Sequence, residues 1–201
     1  MSDSKLGFEF REMMSGGFAL GQSDPAAGAE KGKADVLVMH GTITIDDLDA
    51  FIADPKHVGR LDVRMDWAPF GTDLPASGGV FNLFSPSHDP QLKRMVYEWG
   101  LEQNGEAYYF AGHKEVKVHP LADLWNDTTT LYTQLYKGRD KTGPVVGAGI
   151  ISLSAAQLMQ MAGTFKALSA KSAADSARAT AEFGRFFLGE LWDTYVKKAG
   201  V

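Results

Sequence analysis

The chain has 201 residues, a net charge of -5, a pI near 5.5 and no cysteine. That length fits one domain that buries roughly 70% of its unfolded surface without a covalent staple, and the missing cysteines exclude disulfides, thiolate catalysis and Cys-ligated zinc. Scattered Lys and Arg in an acidic chain argue against a nucleic-acid partner, and no run approaches the eighteen or so apolar residues of a transmembrane segment. The first residues show no apolar signal-peptide core, so a cytoplasmic location is expected.

Strand patterns fill the first three quarters. Leu6, Phe8 and Phe10 alternate with Gly7, Glu9 and Arg11, a strand that Gly16-Gly17 is expected to break. Gly21 to Lys33 is polar and rich in Gly and Ala, which predicts a mobile loop. Val36 to Ile45 is apolar on both faces and reads as a central strand. Leu48, Phe51 and Ile52 then mark a short amphipathic helix, preceded by the approximate capping box Thr44 and Asp47 and ended near Pro55. Arg60 to Trp67 alternates without error, with Leu61, Val63, Met65 and Trp67 on one face. Val80 to Phe84 is a short strand between turns.

The region from Arg94 to His113 carries the strongest local signal. Met95, Tyr97, Trp99 and Leu101 alternate with charged or smaller residues, Asn104-Gly105 follows, and a second arm begins at Glu106 and extends toward Val116 and Val118. Asn-Gly tolerates positive φ at both central positions of a type I′ turn, so a hairpin is predicted. Thr128 to Tyr136 and Val145 to Leu153 form another hairpin. Beyond Leu153 the period becomes helical. Ser154 with Gln157, and Ser172 with Asp175, open two helices, the second carrying Phe183, Phe187, Leu191 and Tyr195 at four-residue spacing. The whole predicts a mainly β, α+β single domain: an antiparallel barrel or strongly curved sheet of about eight strands over residues 6–153. Two C-terminal helices, within 154–198, pack outside it.

Motifs with chemical meaning are few. Gly147-Ala-Gly149-Ile-Ile-Ser152 resembles a dinucleotide fingerprint, but it lies inside a strand and lacks the third glycine, so no nucleotide cofactor is expected. His113 and His119 would stand about 20 Å apart on an extended strand, and no zinc spacing occurs, so no metal is expected. His57, His88 and His119 are predicted at the surface or in turns, and His40 is the histidine expected to be buried. Trp125 to Leu131 reads as a turn leading into a strand, since Asn and Asp favour turns. The aromatic set Trp67, Tyr97, Trp99, Tyr108 and Phe110 can face inward, with Gly147 and Gly149 stripping the opposite wall of side chains. An eight-stranded barrel is just wide enough either to fill with side chains or to hold one small ligand. These seven residues are therefore the candidate ligand-lining set. His40 and Glu12 are the catalytic candidates, as groups whose burial could make one of them a base.

The segments Phe8-Glu-Phe-Arg-Glu-Met-Met-Ser-Gly, Leu48-Asp-Ala-Phe-Ile, Gly79-Val-Phe-Asn-Leu, Gly112-His-Lys-Glu-Val and Trp125-Asn-Asp-Thr-Thr-Thr-Leu resemble an accessory region associated with bacterial GMC-type, cholesterol-oxidase-like flavin oxidoreductases. The similarity runs from about Leu6 to Tyr195. No flavin-binding fingerprint is present, so the resemblance implies an apolar, lipid- or sterol-like context rather than redox chemistry. The expected function is binding or presentation of an apolar small molecule. The alternatives are an enzyme acting on a lipid or carbonyl substrate, and an interaction subunit docking a flavin oxidoreductase. Partial exposure of Phe183, Phe186 and Phe187 would mark the last.

Overall fold

Ten strands form one antiparallel sheet in the computed structural model, which describes residues 5–89, 92–117 and 124–192. They are β1 (Gly7–Leu20), β2 (Val36–Ile45), β3 (Val58–Trp67), β4 (Gly71–Pro75), β5 (Ser77–Pro86), β6 (Leu92–Gln103), β7 (Glu106–Lys117), β8 (Thr130–Lys137), β9 (Val145–Ser152) and β10 (Lys166–Leu168). Five helices accompany them among the described residues: α1 (Pro25–Lys31), α2 (Leu48–Ala53), α3 (Leu124–Thr129), α4 (Ala155–Ala162) and α5 (Ala173–Trp192). Eight strands run in the order β1-β2-β3-β5-β6-β7-β8-β9, and β9 pairs with β1 to close the expected barrel. β4 pairs with β3 and β10 with β1, both outside the ring.

Period-two alternation becomes an inside and an outside. Leu61, Val63, Met65 and Trp67 are buried on β3 while Arg60, Asp62 and Arg64 face water. On β1 the inward row is Phe8, Phe10, Glu12, Met14 and Phe18. The β6–β7 hairpin is paired from Leu92↔Lys117 to Gln103↔Glu106. Its turn has φ of 53° at Asn104 and 78° at Gly105, the left-handed pair of a type I′ turn.

Four expectations are corrected. Gly16-Gly17 does not end β1, which continues to Leu20. The glycines let β1 pass close to the backbones of β9 and α1, where a Cβ would collide with Ile150 or Ala29 carbonyl groups. Gly21 to Lys33 is not simply a loop, because α1 lies within it. The Asp24 carboxylate accepts a hydrogen bond from Ala27 N at 2.8 Å, Pro25 stands in the first turn, and Gly28 brings the helix onto β9. Residues 124–129 form α3 rather than a turn, and the strand after them begins at Thr130. The Asp47 side chain itself caps α2 by accepting from Ala50 N.

The C-terminal helices start as expected. Ser154 and Gln157 make both halves of a capping box for α4, and Ser172 Oγ accepts from Asp175 N at the start of α5. α5 packs outside the barrel across one end. Phe183 stacks on Phe8 with centroids 4.5 Å apart, Phe187 meets Phe84 at 5.4 Å, and Phe186 meets His57 at 4.7 Å. Val118, His119 and Tyr195 lie outside the described residues.

Replacing Gly105 by Val forces a β-branched residue into left-handed backbone, a cost of about 1–2 kcal/mol. The expected outcome is a urea midpoint lowered to match, with an unchanged slope. An unchanged midpoint would contradict the turn geometry.

Candidate functional site

The barrel interior has two unlike ends. At one end aromatic rings fill it. Trp99 stacks on Phe110 at 5.1 Å, Phe18 meets Phe110 at 5.3 Å and Trp67 at 5.0 Å, and Phe70 bridges Trp67 and Tyr108 at 4.9 Å each. The space opposite Gly147 and Gly149 is taken by the same Phe18. A Cβ would stand 2.9 Å from its ring at Gly147 and 2.6 Å at Gly149. Six of the seven sequence-derived lining candidates, namely Trp67, Trp99, Tyr108, Phe110, Gly147 and Gly149, therefore belong to a packed aromatic plug.

The other end is open. A cavity of about 530 Å³ lies between the inward faces of β1, β5, β6 and β7 and the helices α4 and α5. Phe10, Phe81, Leu83, Met95 and Leu153 line it from the barrel side, and Leu158, Met161, Phe165, Phe183 and Phe187 from the helical side. Leu188 also lines it and is 66% exposed, so this wall reaches the protein surface. The volume falls in the range of small-molecule sites, whose walls are mostly apolar with a few polar groups. Tyr97 is the one sequence-derived lining residue that borders this space.

Between plug and cavity lies a charged layer. Glu12 and Lys114 are each less than 5% exposed and also line the cavity. Lys114 Nζ donates to Glu12 Oε1 at 2.8 Å, and Tyr97 Oη donates to Glu12 Oε2 at 2.9 Å. The ammonium also sits 4.9 Å from the Tyr97 ring centroid, a cation–π contact. β1 and β7 are not neighbours in the sheet, so this pair reaches across the interior. Glycine opposes two of its members: Gly41 is the register partner of Glu12, and Gly112 that of Tyr97. Burial, followed by the adjacent Glu12 charge and the hydrogen bond to it, holds the Tyr97 phenol well above its ordinary range. Tyr97 is thus a neutral donor that orients the carboxylate.

Of the two catalytic candidates, Glu12 is inside and His40 is not. His40 is paired opposite Met13, points outward and is about half exposed, with its Nε2 3.2 Å from Asp66 Oδ2. Its strand puts Leu37, Met39 and Ile43 inward, which sends the His40 parity to solvent. Among the described residues the buried histidine is instead His57, expected at the surface or in a turn. Its Nδ1 lies 2.9 Å from the Phe51 carbonyl, and its ring is enclosed by Phe51 and Phe186. His113 lies half-buried on the outer face, where desolvation and then Arg94 push its pKa below the usual value. His88 is exposed, and among the described residues no group of three His, Asp or Glu side chains could hold a metal ion.

Lys114 was not among the sequence-derived candidates. A signal for it exists, since it continues the inward row Phe110, Gly112, Lys114 and Val116 as a lone cation, while Glu12 is the lone anion of the β1 row. Comparison with protein-family models, curated proteins and solved structures finds no match to the chain.

Two outcomes follow for the charged layer. Lys114→Met leaves Glu12 buried without its cation and is expected to cost about 3–5 kcal/mol in urea denaturation. The double variant Glu12→Gln, Lys114→Met removes both charges and is expected to recover most of that loss. Equal destabilisation by both would mean that the pair is not coupled.

A raised folded-state phenol pKa contributes stability that is fully present below the ordinary value near 10. That stability is lost as pH rises from there through the folded-state value. Phenolate absorbance should therefore show Tyr97 ionising only as the protein unfolds in alkali. Tyr97→Phe should flatten the stability decline above pH 10, and an unchanged decline would refute this role.

Proposed function

We propose that this protein binds an apolar small molecule of the lipid or sterol class in the cavity between the barrel and helices α4 and α5. The observation that carries this reading is an apolar space of about 530 Å³ in direct contact with a buried, fully paired charge cluster. The layout supplies apolar surface for the body of a ligand and localised hydrogen-bonding capacity at its inner end. The lipid or sterol class is the one that the resemblance of the sequence to accessory regions of GMC-type flavin oxidoreductases implies.

The docking-subunit reading finds its expected mark in part. Phe183 is buried, while Phe186 and Phe187 keep partial exposure as they pack against His57, Phe51 and Phe84. Of the two candidate bases, His40 points to the outer side of the barrel wall, so the enzyme reading is left with Glu12 alone.

Gly184 provides the test. It lines the cavity, and beyond its chain neighbours and the backbone of its own helix no atom lies within 4 Å of the position a Cβ would take. Gly184→Leu adds bulk there while removing a helix-interior glycine, which by itself favours the helix by up to about 1 kcal/mol. Binding of the apolar fluorophore N-phenyl-1-naphthylamine should weaken about tenfold or more, with Tm held or raised. Native mass spectrometry of protein purified from its own host should show a co-purifying lipid. Wild-type protein that binds neither probe nor lipid would overturn the proposal.

A further inference from the structure

We propose that Lys114 attaches an apolar aldehyde covalently and reversibly, as an imine, within the cavity. This rests on the ligand-binding reading and names the chemical class of ligand. Lys114 is 2% exposed, and its ammonium lies at the inner limit of an apolar space. A lysine there has a nitrogen that can act as a nucleophile once deprotonated. The required base is in place, since Glu12 Oε1 accepts from Nζ at 2.8 Å, and the Tyr97 hydroxyl holds the other carboxylate oxygen at 2.9 Å.

The alternatives fit less well. A ligand carboxylate would bring a second buried anion to a site whose single cation already has one. A hydroxyl would gain only a hydrogen bond and would leave the nucleophile unused. An aldehyde leaves the charge count as it was.

The steps balance. The Lys114 ammonium passes one proton to Glu12, and the freed nitrogen lone pair bonds to the carbonyl carbon as the C=O π pair moves onto oxygen. A proton shift from nitrogen to that oxygen gives a neutral carbinolamine. Glu12 returns its proton to the hydroxyl, the C–O bond breaks, water leaves, and the nitrogen lone pair forms C=N. The product is a protonated imine beside a Glu12 carboxylate, again one cation and one anion. Hydrolysis reverses each step, and no oxidant or reductant is consumed.

The test is reductive trapping on the full chain with dodecanal and cyanoborohydride, read by intact mass and peptide mapping. The expected result is one dodecyl group per protein, on Lys114. It should form at least about tenfold faster than on any exposed lysine, as a bound aldehyde beside the amine implies. Gly184→Leu should suppress it, and excess N-phenyl-1-naphthylamine should compete with it. Glyceraldehyde, a polar aldehyde, should leave Lys114 unmodified. The double variant Glu12→Gln, Lys114→Met should lose the adduct. Dodecyl groups spread over exposed lysines, with Lys114 untouched in protein that binds the probe, would overturn the imine and leave ligand binding standing. Failure of both probe binding and Lys114 labelling would overturn the reading beneath it as well.

Discussion

Closure of the barrel at the β1–β9 seam is the constraint on which everything else depends. β1 pairs with β2 along most of its length, and its other edge is shared between β10 at the start and β9 at the end. That sharing requires the strand to bend while staying hydrogen-bonded, and Gly16 and Gly17 stand where side chains would strike neighbouring carbonyl groups. Closure removes the open sheet edges and turns an alternating pattern into an enclosed interior. Only a closed interior can hold Glu12 of one strand against Lys114 of a strand three steps round the ring.

The interior is then divided by size. Rings from Phe18, Trp67, Trp99 and Phe110 fill one end, and the glycines at 147 and 149 give Phe18 its place. At the other end the strands carry Phe10, Phe81 and Met95 toward α4 and α5, and these surfaces meet around a space instead of closing it. The buried Glu12–Lys114 pair stands between the two. Such a pair contributes little net stability over an apolar replacement of the same shape, although breaking it is costly. Its position against a cavity is the observation on which the proposed ligand attachment rests.

Local features were legible wherever a short-range rule decides the outcome. The Asn104-Gly105 turn, the Arg60–Trp67 alternation and the Ser154–Gln157 capping box follow from rules that relate residues one to three positions apart. The inward parity of Tyr97 and Trp99 was readable for the same reason. Other features failed where distant packing overrides local preference. α1 has a readable cap in Asp24 and Pro25. Yet it is only seven residues long, and it is held by the approach of Gly28 to β9, more than a hundred residues away. His40 was misplaced because β2 is apolar on both faces, so its pattern does not tell inside from outside. The pairing of its inward residues decides that.

The amino-acid sequence by itself determined an antiparallel barrel or strongly curved sheet of about eight strands with helices after it, because strand period, turn chemistry and capping act between near neighbours in the chain. It also determined that an aromatic row on β6 faces inward, while Glu12 was legible only as a group whose burial would make it a base. Only the tertiary structure decided which end of the barrel is filled, that Lys114 meets Glu12, and that the cavity lies under α4 and α5. Those outcomes depend on register around a closed ring and on where the C-terminal helices dock. Contacts such as Glu12 to Lys114, or Phe8 to Phe183, join residues far apart in the chain, and no local pattern encodes them.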